Sequence, residues 1–227
     1  MAKNTSAIFK FKGTIDDLTF VDSKRYKPHV RARKNSKTPF VMPVALAESK
    51  NRLQACNQYA KPIFQFLRKE ADGSLWSRIV SQLFKELKAG RPLGVQCLKN
   101  FECNLQHPLS EVLAGGYEIS ATREQSDLRI RALLHMPPEV KDQIPRAGYQ
   151  LRFIIITPEV VAGTAYKREV LSDLTSYDAD LKAVELTVEL PPVEEPCMLV
   201  MGIVPHQQDE GPIRLMSDSG MKVVWVG

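Results

Sequence analysis

Between Lys24 and Lys37 the chain carries Lys24, Arg25, Lys27, Arg31, Arg33, Lys34 and Lys37 and no acidic residue, with Tyr26 and His29 among them. Cations gathered on one short stretch recognise anions. These are either the carboxylates of an acidic protein surface or the phosphates of a nucleic acid, where Tyr26, Phe20 and Phe11 would add stacking. In an extended strand Arg31 and Arg33 share a face with His29 two residues before them. The same residue types also serve as a solvated strand edge that discourages edge-to-edge pairing.

Other residues with chemical potential form no constellation. His135 precedes Met136-Pro137-Pro138, and His206 follows Pro205 ahead of Gln207, Gln208, Asp209 and Glu210. A histidine near carboxylates does acid–base work, but no Ser or Cys stands in a GxSxG elbow, and HExxH and Walker loops are absent. Asp16-Asp17 reads as turn chemistry. The thiols are Cys56, Cys97, Cys103 and Cys197. Cys97, Cys103 and His107 lie close in sequence but lack the tight spacing and fourth ligand of a zinc site, so the cysteines read as buried thiols of a reducing compartment. No catalytic residue, cofactor site or metal site is assigned.

Charge is divided along the chain. Residues 1–110 hold 20 Lys/Arg against 8 Asp/Glu, and residues 111–227 hold 11 against 18, for a net charge of +5. A two-signed molecule attracts a polyanion through one half or a copy of itself head to tail. Hydrophobic content of 44% and charged content of 25% are ordinary for a soluble globular protein and disfavour the disordered, collagenous and membrane classes. No apolar stretch approaches the ~20 residues needed to span a bilayer. The N-terminal residues lack the apolar core of a secretory signal, which points to a cytoplasmic protein.

The elements that must position these residues follow from periodicity. Residues 7–33 read as a β-hairpin unit, with residues 21–24 as its turn. Leu46, Leu53, Ala60 and Leu67 recur every seven residues, with Cys56 and Ile63 alongside, so a first helix spans this stretch and kinks or restarts at Pro62. A second helix carries Trp76, Ile79, Val80, Leu83, Phe84 and Leu87, with Ser74 as N-cap, and stops at Gly90 before Pro92. A short third helix is expected over 108–113. After Gly115-Gly116 the period changes from 3.6 to 2, most clearly over 183–190, giving six or seven strands separated by Pro and Gly. The fold class is therefore α+β. A basic hairpin and helical pair over 1–114 precedes an acidic antiparallel β-sandwich over 115–227.

Gly13-Thr-Ile-Asp-Asp-Leu-Thr-Phe20, the basic return strand and the helix carrying Arg52 resemble uncharacterised proteins of the Bacteroidota. Those chains combine a short N-terminal hairpin of G-x-I/V-x-x-L/V-x-F/Y pattern with a basic segment, a helical pair and a β-sandwich tail. The resemblance covers residues 8–90 at motif level. Asp16-Asp17 departs from it where Gly or Asn is common. It implies the architecture and brings no activity, cofactor or catalytic residue. The chain thus reads first as a non-catalytic structural or assembly protein that binds an acidic surface, a copy of itself included, as a homo-oligomer. The second reading is a nucleic-acid-binding protein using residues 24–37, and the third a small-molecule enzyme; no membrane partner is expected.

Overall fold

A computed structural model describes residues 2–3, 13–15, 18–23, 26–32, 43–69, 71–139, 146–159, 164–191, 196–207, 211–212 and 220–227. The chain divides into two compact units, Met1–Ala47 and Glu48–Gly227. The change of period at Gly115-Gly116 falls inside the second.

The first unit holds a four-stranded antiparallel sheet. Its strands are β1 (Ala2–Lys3), β2 (Gly13–Ile15), β3 (Leu18–Ser23) and β4 (Tyr26–Ala32), in the order β1-β4-β3-β2. The expected hairpin is the β3–β4 pair, with Phe20 opposite Val30 and Ser23 opposite Tyr26. Val21, Asp22 and Ser23 belong to the strand rather than to a turn, because pairing continues to within two positions of the return strand. Ile8, Phe9, Phe11 and the Asp16-Asp17 pair lie outside the described residues.

α1 (Val44–Leu67) begins at the end of the first unit and runs into the second. It is continuous through Pro62, so no restart occurs at Lys61. Proline removes one i→i−4 hydrogen bond, and here Pro62 is buried in a packed face that offsets the loss. The seven-residue stripe divides in two. Cys56, Ala60, Ile63 and Leu67 are buried, whereas Leu46 and Leu53 are 50% and 45% exposed, so the helix enters the core only from Cys56 onward. α2 (Leu75–Lys88) buries Leu75, Ile79, Val80 and Leu83. Trp76 meets Phe64 of α1 edge-on, with ring centroids 5.3 Å apart. A 3₁₀ turn (Val95–Leu98) and α3 (Leu109–Val112) lead into the strands.

Eight strands follow among the described residues: β5 (Tyr117–Glu124), β6 (Asp127–Leu134), β7 (Arg146–Glu159), β8 (Thr164–Leu171), β9 (Val184–Glu189), β10 (Met198–Gln207), β11 (Gly211–Pro212) and β12 (Met221–Val226). They form two sheets, antiparallel throughout. The central sheet has the order β11-β10-β7-β8, with β12 also on β10, and the outer sheet has the order β5-β6-β9. β8 escaped the sequence reading because its burial alternates only weakly and no side chain in it is fully buried.

Side-chain alternation turns the central sheet into the middle of three layers. Ile154 and Ile156 of β7, with Met198 and Val200 of β10, pack with Ile63, Leu67, Ile79 and Leu83 of the helices. Leu151, Phe153 and Ile155, with Leu199, Met201 and Ile203, pack with Leu128, Ile130 and Val188 of the outer sheet. Residues 153–156 of β7 and 198–203 of β10 are buried on both faces, so the alternation expected from Leu151 gives way to an unbroken apolar run. β12 keeps both sides apolar by a bulge. Leu199 pairs with Trp225 and Val200 with Val223, so Val224 and Trp225 both turn toward the outer sheet. Among the described residues no helix is long and apolar enough to cross a membrane.

Phe153 is fully buried between the two sheets. Phe153→Ala is expected to cost about 3–5 kcal/mol in denaturant-induced unfolding, and a loss under about 1 kcal/mol would refute its place at the centre.

Candidate functional site

β4 gives the basic segment its frame. Arg31 lies opposite Thr19, and His29 lies between Val21 of β3 and Lys3 of β1. Period-2 alternation puts His29 and Arg31 on one face and Val30 on the other, and Arg31 is exposed while His29 is half-buried. Phe20 pairs with Val30 and so belongs to the face away from these two residues. One strand face therefore does not offer Arg31 and a Phe20 stacking platform together. Tyr26 and Lys27 hold backbone positions in β4, while Lys24, Arg25, Arg33, Lys34 and Lys37 lie outside the described residues. The first unit as a whole carries 10 Lys/Arg against 3 Asp/Glu, a net of +7 in its 47 residues.

Among the described residues, the ring nitrogens of His135 and His206 meet Glu118 and Gln150 rather than a nucleophile. His135 Nε2 is 3.3 Å from Glu118 Oε1 in an exposed pair. His206 Nε2 is 2.6 Å from Gln150 Oε1, and Gln150 Nε2 donates to the Ser172 carbonyl at 2.6 Å. The Ser172 hydroxyl is occupied, accepting from the Leu151 amide and donating to the Asp173 carbonyl. Cys103 is fully buried and its thiol is pushed up to about 12, chiefly by desolvation. Burial likewise pushes Cys97 up to about 11. Such thiols stay protonated at neutral pH and are poor nucleophiles and poor metal ligands. Cys97, Cys103 and His107 do not converge, since no group of three metal-ligating side chains forms among the described residues.

Two features were not visible in the sequence. The first is a polar clasp around Arg78. Its guanidinium donates to the Ser74 hydroxyl at 2.9 Å and to the Glu102 and Cys103 carbonyls at 2.6 and 2.9 Å. It also pairs with Asp72 at 3.2 Å and lies 4.9 Å above the Phe101 ring. Ser74 is thus not a side-chain cap. It stands at the N-cap position without a capping bond, and its amide and hydroxyl both donate to Asp72 Oδ1. Asp72 Oδ2 accepts the Leu105 amide at 2.8 Å, tying the start of α2 to residues 101–105. The second feature is a cleft of about 680 Å³ beneath residues 172–183, floored by Leu134, Tyr149, Leu151 and Leu186 and rimmed by Asp173 and Asp180.

Gly115-Gly116 is a tight joint rather than a phosphate cradle or a loose hinge. A Cβ on Gly115 would lie 2.4 Å from Met136 Cβ, and Gly116 adopts a φ of +84°. The His135 amide then donates to the Gly116 carbonyl at 3.1 Å, locking the approach to β5.

No family model, curated protein or solved structure matches the chain.

Burial acts to raise the Asp72 carboxyl, but hydrogen bonds from Ser74 and Leu105 and the Arg78 charge outweigh it and hold it below its ordinary value. A lowered folded-state value means that ionised Asp72 stabilises the fold above the unfolded value of ~3.9, and that this contribution is lost as pH falls through the folded value. Asp72→Asn is expected to cost about 1–3 kcal/mol at neutral pH, and the gap to the native chain should close on acidification. Urea titrations across the acid range check this, and a gap independent of pH would rule out the carboxylate charge as its source.

Proposed function

We propose that this is a non-catalytic structural or assembly protein of the cytoplasm whose basic N-terminal unit binds an acidic surface, that of another copy included. The observation that carries the reading is the concentration of charge, since a net +7 resides in a single compact unit of 47 residues. A second copy is an available partner because residues 111–227 carry 18 Asp/Glu against 11 Lys/Arg. The protonated thiols of Cys97 and Cys103, and the engagement of His135 with Glu118 and of His206 with Gln150, support a non-catalytic role. Complementary charge governs encounter rate and register more than raw affinity, so the assembly responds to salt.

The test neutralises Lys24, Arg25, Lys27, Arg31, Arg33, Lys34 and Lys37 and follows mass photometry at two salt concentrations, with and without DNA or RNA. The expected outcome is a shift toward monomer on neutralisation and at high salt, with negligible nucleic-acid binding. If the seven cations instead contact phosphates, duplex affinity falls with a log–log salt slope near about −6, each Lys→Ala flattens it by about one, and the nucleic-acid reading replaces this one.

A further inference from the structure

The three layers of the second unit have outer surfaces of opposite sign. On the helical side, Gln54, Gln58, Lys61 and Gln65 are the exposed stripe of α1, continued by Arg68 and Lys69. Ser77, Ser81, Lys85 and Lys88 are the exposed stripe of α2. Neither stripe contains a carboxylate, and among the described residues Lys61, Arg68, Lys85 and Lys88 have no acidic partner within ion-pair distance.

The outer sheet presents the reverse. Strand register places Asp127 of β6 directly between Glu124 of β5 and Glu189 of β9, so three carboxylates form one row across the sheet. Like charges directly opposite each other on a sheet are destabilising. Two rows further along, Arg131 stands between Ser120 and Glu185, and the last row sets Glu118 beside Leu133. Arg129 reaches Glu124 at 3.1 Å and Arg131 reaches Glu185 at 3.6 Å. Five carboxylates thus share this face with two arginines. A groove lined by Glu118, Ser120, Arg131 and Leu133 runs over it.

We infer that the acidic outer face of this sheet receives the basic face of the α1–α2 layer of a second copy, a heterologous contact within the assembly reading on which it rests. The dimensions agree. From Gln54 to Arg68 a helix rises about 21 Å, and from Glu118 to Glu124 a strand spans about 20 Å. Lysines of the partner relieve the repulsion in the Glu124–Asp127–Glu189 row. Because the two surfaces lie on opposite sides of the central sheet, the contact joins copies head to tail rather than closing a two-fold dimer. A patch of these dimensions is smaller than the ~800 Å² per partner of a standard interface, so each contact is individually weak and salt-sensitive.

The test uses the full chain in two exposed-surface variants, Lys61→Glu/Lys85→Glu/Lys88→Glu and Glu118→Lys/Glu124→Lys/Glu189→Lys, with thermal melts to confirm folding. Each variant alone should self-associate at least about tenfold more weakly at low salt. An equimolar mixture should recover association, because the reversed helical face of one matches the reversed sheet of the other and their unaltered faces still match. Neutralising the basic segment of the first unit serves as the separating control. Association lost in that control but unchanged in both reversal variants overturns this contact and leaves the proposed function standing. Failure of the mixture to recover, or nucleic-acid binding that disappears with Lys61, Lys85 and Lys88 while self-association stays absent, also overturns it.

Discussion

The middle of two strands, residues 153–156 of β7 and 198–203 of β10, is apolar on both faces, and the layers of the second unit are arranged to satisfy that condition. Neither face of the pair tolerates water: Ile154 and Val200 require the helices, and Phe153 and Met201 require the outer sheet. Burying one such side chain contributes roughly 1.5–3 kcal/mol, and no partial arrangement of layers captures both sets. Even the irregular ending of β12 follows, since its extra residue lets successive side chains fill the same layer. The charge pattern is a by-product of this layering. With apolar groups consumed by the two inner interfaces, polar and charged residues are left to the outer helical and outer sheet surfaces, where their signs differ.

The polar groups around Arg78 and Glu102 join segments of the second unit. Arg78 satisfies two main-chain carbonyls, a hydroxyl, a carboxylate and an aromatic face at once, and Glu102 accepts the Leu109 amide at 3.0 Å while facing Lys222 at 3.4 Å. These contacts tie the irregular stretch between the second helix and β5 to both neighbouring layers. A charge held this way is fixed in position and already compensated, the opposite of a group poised to transfer a proton.

Much of the fold was legible because alternation and helical spacing are local properties. The period-2 runs at 117–121, 128–132 and 184–190 and the helical stripe of α2 lie where the sequence put them. β8 was hidden because a strand paired on one side, with no fully buried side chain, needs little apolar patterning. Pro62 misled because local propensity favours a break while the packed face overrides it. Ser74 misled because its hydroxyl donates to Asp72 and accepts from Arg78 instead of accepting a first-turn amide. The basic segment was legible as composition alone. The carboxylate row was not, because Glu124, Asp127 and Glu189 come from three strands and only register brings them level. The Arg78 clasp was hidden for the same reason, its acceptors lying 24 and 25 residues away.

The segment after β8 covers the part of β7 that β8 leaves open. β8 pairs with β7 only from Arg152 onward, and beyond that point Ser172 and Thr175 take over, the amide of Ser172 donating to Leu151 and Thr175 exchanging hydrogen bonds with Tyr149. Gly148 permits the approach, since a Cβ there would lie 2.4 Å from the Thr175 carbonyl oxygen. Without that cover, the first half of β7 would present free main-chain donors and acceptors along one border, a template for strand addition by a neighbouring chain. A few residues of irregular backbone thereby close this stretch of the β7 border to strand addition.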